Sequence, residues 1–254
     1  MSESDHGGNE TAVSVINAEG TGAALLLCEH ASAYIPGRYG DLGLRPEWRQ
    51  SHAAWDPGAL ALARMLSTEL DSPLVAGRVS RLVYDINRPP EAEAAMPVRS
   101  EVVEIPGNAN LTPAQRAERV ETVYRPFCEA VDRLLADRPK AIVTVHSFTP
   151  VYHGETRSTE IGILHDSDSR LADVMLAQPA EDGRQVDRNK PYGPGDGVTH
   201  SLKLHGISRG LPNVMIEVRN DLLTTLEDVQ AIAIELLAML RPALAAIPAE
   251  VTDA

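Results

Sequence analysis

The sequence is poor in cysteine, short of positive charge and free of long apolar runs. Its two cysteines, Cys28 and Cys128, stand 100 residues apart and make no disulfide framework. Together with a polar first twenty residues that lack the basic-then-apolar pattern of an export signal, they point to the reducing cytoplasm. Lys plus Arg number 23 against 36 Asp plus Glu, a formal charge of −13. That balance argues against nucleic acid or an anionic membrane as partner, since both need a basic footprint. No apolar run approaches the ~20 residues of a membrane span. Internal repeats, low-complexity tracts and linkers are also missing. What remains is 254 residues, 43% of them hydrophobic. A chain of that length buries roughly three-quarters of its unfolded surface and needs no disulfide or structural metal to fold. Length alone allows one large domain or two small ones. The lack of a linker selects one, over 12–246, with tails at 1–11 and 247–254.

The hydrophobic pattern predicts strands alternating with helices. A short leading strand begins near Ala12. Ala23 to Cys28 is an apolar run that stops at Glu29-His30, as a strand buried on both faces would. Asp56-Pro57-Gly58 opens a helix through about Leu70, with Asp56 as N-cap and proline in the first turn. PLVAG (73–77) and SRLVYDI (80–86) read as two strands, and 88–111 as loop. Thr112-Pro113 caps an amphipathic helix reaching roughly Asp137. Strands follow at 141–145, ending at His146, and at 159–165. A helix lies near 168–178, a polar glycine-rich loop over 181–199, and a strand at 213–218. A helix runs from Thr224 or Thr225 to about Leu240. This is an α/β protein with one mostly parallel or mixed sheet flanked by helices.

In open α/β sheets ligands bind beyond the carboxyl ends of the strands. Here several apolar runs end at ionisable residues: Glu29-His30, His146-Ser147, and Glu217 with Arg219, joined by Asp85, Asn87 and Arg88. A lone histidine after a strand is ordinarily a packing residue, whereas convergence of several such ends suggests a site. A catalytic zinc takes three His or Asp/Glu ligands and keeps a place for water. His30 and His146 supply two. The third is Glu29 or Asp56, and Glu29 is disfavoured because adjacent residues of an extended segment point to opposite faces. No HExxH spacing is present. A carboxylate inside NVMIEV is costly unless paired. Glu217 is therefore either an ion-pair partner of an arginine or a general base acting on water. Arg81, Asn87 and Arg88 offer bidentate carboxylate capture; their alternative is a solvated surface. Gly206–Gly210 matches GxSxG, but the strand follows it instead of preceding it, which argues against a Ser208 nucleophile. The 193–197 glycines lack the rest of a phosphate loop and fit a mobile cover, with Tyr192, Thr199, His200 and His205 in reach of a ligand.

Six ordered motifs, CEHASAYIP (28–36), WDPGA (55–59), SRLVYDINRP (80–89), VHSFTP (145–150), NKPYG (189–193) and IEVRNDL (216–222), resemble the N-formylglutamate amidohydrolases. That family is similar to the zinc-carboxypeptidase and aspartoacylase group, with a phosphorylase/hydrolase-like fold. The resemblance implies hydrolysis of an N-acyl amino acid, with N-formyl-L-glutamate as lead substrate giving formate and glutamate. It implies His30 and His146 as ligands of Zn2+ or another divalent metal. The wider group's acidic ligand falls at Ala33 here, and Asp56 is the substitute. Glu217 matches the catalytic glutamate. Asp85 to Arg88 resembles a substrate-carboxylate segment, to which Arg81, Tyr192, His200 and Arg219 are added as substrate contacts. The net charge repels a dianionic substrate, so the cation and arginines must concentrate positive charge at the mouth. The rival expectations are a hydrolase of another N-acyl amino acid or short peptide, and a non-catalytic metal or amino-acid binder.

Overall fold

The computed structural model describes residues 11–136, 140–180 and 183–247. Nearly all of the expected tails, 1–10 and 248–254, lies outside them. A seven-stranded sheet in the order β1-β3-β2-β6-β11-β9-β10 carries the molecule. Its members are β1 (Val13–Ile16), β2 (Ala24–Cys28), β3 (Leu74–Gly77), β6 (Ala141–Phe148), β9 (Ile161–Leu164), β10 (Val186–Arg188) and β11 (Asn213–Arg219). Strands β3, β2, β6 and β11 are parallel neighbours. Strand β1 joins one side antiparallel, and β9 joins the other antiparallel with β10 parallel to it. The sheet is thus mixed, with its parallel strands in the centre. Two short ribbons, β4–β5 (Arg99–Ser100 and Val103–Glu104) and β7–β8 (Val151–Tyr152 and Glu155–Thr156), stand apart from it.

The central strands are apolar throughout because both faces are covered. Leu26, Val143 and Ile216 pack under α1 (Ala59–Glu69), α4 (Arg170–Leu176) and α5 (Leu226–Ala245). Helix α5 presents Val229, Ile232, Ala233, Leu236, Leu237 and Leu240 to that layer, the spacing of one helical face. Leu25, Leu27, Ile142 and Met215 face the other way. They meet α3 (Arg125–Leu135) and a thick layer of loop that includes Leu82, Val83 and Tyr84. Capping boxes start two helices: Thr112 with Gln115 opens α2 (Pro113–Arg119), and Thr225 with Asp228 opens α5. Both cysteines are free. Among the described residues no helix is long and apolar enough to cross a membrane.

Four local expectations are corrected. SRLVYDI is not a strand but a series of turns, and its apolar residues are buried because the loop layer lies against the sheet. The helix from Pro113 widens into a π-helical turn at Val120–Tyr124 before α3. The closing helix continues past Leu240 to Ala245, with Pro242 inside it. Asp56 is not an N-cap: α1 begins at Ala59 behind Gly58, whose φ of 82° is open to glycine, and no side chain caps it. The Asp56 carboxylate instead turns toward two histidines.

Candidate active site

The parity of the strands builds the site. On β6 the residues facing the loop layer are Ile142, Thr144 and then His146; on β11 they are Met215 and then Glu217. His146 and Glu217 are register partners on adjacent parallel strands, so they leave the sheet side by side. His30 follows β2, and its carbonyl accepts from the Asp56 backbone N–H, which ties the 56–58 turn to that strand end.

Asp56 Oδ2 lies 3.3 Å from Nδ1 of His30 and 2.9 Å from Nδ1 of His146. It also accepts from the Ser147 backbone N–H at 3.3 Å. The two imidazoles meet edge to face, with centroids 4.9 Å apart. One ligand atom from each of His30, Asp56 and His146 lies within 4.8 Å of the others, and all three residues are buried. Two imidazole nitrogens and one carboxylate oxygen, facing one another out of solvent, fit a borderline divalent ion such as zinc. The outer ring nitrogens also face acids: Nε2 of His30 is 2.7 Å from Asp85 Oδ1, and Nε2 of His146 is 3.2 Å from Glu29 Oε2. Carboxylates behind ligand histidines are the usual partners of a metal site.

Arg81 braces this cluster, with Nη2 donating to Asp85 at 2.8 Å and Nη1 to Asp56 at 3.3 Å. Burial alone raises the Asp56 and Asp85 carboxyls. The His30 ring facing both, with His146 beside Asp56 and Arg81 beside Asp85, outweighs it and holds them below the usual range. At Glu217 burial, helped by the Asp56 carboxylate, outweighs the nearby His146, Arg81 and His30 and lifts the carboxyl to about 7.

One cavity opens onto these groups. His30, Asp56, Arg81, Asn87, Arg88, His146, Tyr192 and Glu217 all line it. Asn87 Nδ2 donates to Val198 O at 2.6 Å, and its Oδ1 accepts from the Ser201 N–H at 3.0 Å. Arg88 Nη1 donates to the carbonyls of Asn87 and Gly197. The two side chains therefore fasten the 197–201 segment beside the site. Two expected substrate contacts are not brought to the cavity. His200 stacks on Tyr124 and shares a 2.8 Å hydrogen bond with its hydroxyl. The Arg219 guanidinium is held by Asp221, Glu160 and the Arg157 carbonyl. Thr199 is occupied by Asp166, and His205 is buried near Asp132. Ser208 Oγ donates to Leu204 O, in an exposed turn away from the cavity.

Sequence reasoning missed His52, Glu101 and Tyr152, which also line the cavity. His52 Nε2 is 2.9 Å from Glu101 Oε2, and the other Glu101 oxygen accepts from the His153 N–H. These residues sit on turns and the small ribbons, where no periodicity marks them. Arg157 lies over the rings of Phe148, Tyr152 and Tyr192, at 5.5, 4.4 and 4.8 Å, and fixes the aromatic wall.

A central parallel sheet with a buried His-Asp-His group and an acidic residue at one edge defines a hydrolase-like α/β protein. The N-formylglutamate amidohydrolase family model matches residues 22–224, and the chain belongs to that family of amidohydrolases. Among solved structures, the gene product Atu2144 of Agrobacterium tumefaciens is 54% identical, with a TM-score of 0.91 over 93% of this chain and 96% of that one. The N-formylglutamate amidohydrolase of Ralstonia eutropha JMP134 is 18% identical and shares the fold, with a TM-score of 0.67 over 92% and 97% of the two chains. No curated protein matches the sequence.

Proposed function

We propose that this chain is a metal-dependent amidohydrolase that cleaves an N-acyl amino acid, with N-formyl-L-glutamate as lead substrate and formate and L-glutamate as products. The observation that carries the reading is the facing of His30, Asp56 and His146 within 4.8 Å, in the cavity that Glu217 also lines. Those three residues would hold the divalent ion, which when bound lowers the pKa of water toward ~7 and polarises a carbonyl oxygen. Glu217 is the general base. In the metal-free chain burial raises its carboxyl to about 7, and a cation bound beside it would lower that value and favour the carboxylate form that a base needs. Glu217 takes a proton from the attacking water and delivers one to the departing nitrogen. Arg81 and Arg88 bind the substrate carboxylates, and Tyr192 closes the wall beside them. Asn87 holds the 198–201 segment in place for that contact. Membership of the family and a general base beside the cluster favour turnover over passive binding.

The experiment is formate release by purified protein of measured metal content. The wild type releases formate, loses activity on chelation and recovers it with zinc. Glu217→Gln lowers kcat by about 10²–10⁴-fold while retaining the metal. Activity that survives both treatments contradicts the mechanism. A panel of acetyl, formyl and peptidyl amino acids fixes the acyl group.

A further inference from the structure

Glu29 is the polar group that the mechanism leaves without a task. Its side chain is 0% exposed, and neither carboxylate oxygen has a hydrogen-bond partner among the described residues. Isolated carboxylates do not persist in such places without a compensating charge or donor. Two groups stand near it: Nε2 of His146, 3.2 Å from Oε2 and likewise without a well-aligned hydrogen bond, and the buried side chain of Ser201. The register explains the meeting. Leu25 pairs with Ile142 and Leu27 with Thr144, so the same step of two sets Glu29 beside His146.

The contact falls on the outer edge of the ring. His146 turns Nδ1 to Asp56 and Nε2 to Glu29. His30 repeats the layout with Nδ1 to Asp56 and Nε2 to Asp85, but Asp85 is further held by Arg81 and the Asn87 N–H. A neutral imidazole carries one N–H, and the nitrogen that keeps it cannot donate a lone pair to a metal.

We propose that Glu29 is a positioning residue for His146. It accepts a hydrogen bond from Nε2–H and fixes the tautomer that leaves the Nδ1 lone pair facing Asp56. The assignment rests on the metal reading of the site. It gives Glu29, the sequence neighbour of one ligand, to the other ligand and not to the ion.

The test is zinc affinity of the metal-free protein, by competition with a chromophoric chelator, for the wild type, Glu29→Gln, Glu29→Leu and Asp56→Asn. Positioning residues of this kind change metal affinity by about 10–100-fold. Glu29→Leu is expected to weaken zinc by that factor, still binding one ion per chain, with a metal-free melting temperature no lower than wild type. Glu29→Gln keeps an acceptor and is expected to lose several-fold. It decides the matter should the leucine variant not fold. Zinc affinity within about twofold of wild type in the variants overturns the role. Loss of the stoichiometric ion in Glu29→Gln, as in Asp56→Asn, overturns it by making Glu29 a ligand. A wild-type chain that takes up no zinc fails in a different way, removing the metal reading and this role together.

Discussion

Glu217 and Asp56 are both buried acids in one cavity, yet they are held in opposite directions. Asp56 is hydrogen-bonded to two imidazoles and Arg81, while at Glu217 desolvation and the Asp56 charge outweigh the same cations and raise the carboxyl from 4.5 to about 7. A raised folded-state pKa favours the protonated form, so the stability Glu217 contributes is present below pH ~4.5 and is lost as pH rises through ~7. In the metal-free protein, Glu217→Gln should therefore gain stability over wild type as pH rises through that window. Denaturant melts at pH 4.5 and 8 measure the difference, and an equal difference at both values contradicts the environment described for Glu217. His30, His146 and Glu217 stood out in the sequence because ionisable residues interrupt apolar runs there, whereas Asp56 was open to reading as a helix N-cap or a ligand. Glu29 was legible as a residue but not as a partner. Its link to His146 depends on strand pairing, which a single sequence does not display.

The elements show where local signals compete. The runs at 24–28, 141–145 and 213–218 could be recognised as central strands because both their faces are covered. SRLVYDI has the same apolar look for another reason: a turn layer buried against the sheet needs apolar side chains as much as a strand does. Asp56-Pro57 is a sound helix-start signal by composition. It was overridden because two imidazoles, the Arg81 guanidinium and the Ser147 N–H compete for the carboxylate. Gly58 makes that possible. It turns the chain at a positive φ, and a Cβ there would sit 2.4 Å from Leu223 Cβ. Gly58→Ala is expected to destabilise the protein by about 1–3 kcal/mol and to weaken zinc binding through the displaced Asp56. Chemical denaturation and a zinc titration of the same variant check both parts. Full zinc affinity in a destabilised variant would show that the turn does not position Asp56.

The whole molecule carries −13 of formal charge yet is proposed to bind an anionic substrate. Attraction must then be local, at the ion and at Arg81 and Arg88, inside the cavity. An ion that binds only the folded state also stabilises the whole chain. Free zinc at about 100 times its Kd adds about 2.7 kcal/mol, which raises the melting temperature by roughly 5–10 °C for a chain of this size. A melting temperature indifferent to zinc in scanning calorimetry contradicts a site of this burial. The most direct measurement is an anomalous difference map at the zinc edge from crystals grown with the metal. The expected result is one peak about 2.0–2.2 Å from Nδ1 of His30, Nδ1 of His146 and a carboxylate oxygen of Asp56. A map with no peak among those atoms, from protein that still releases formate, would contradict the account.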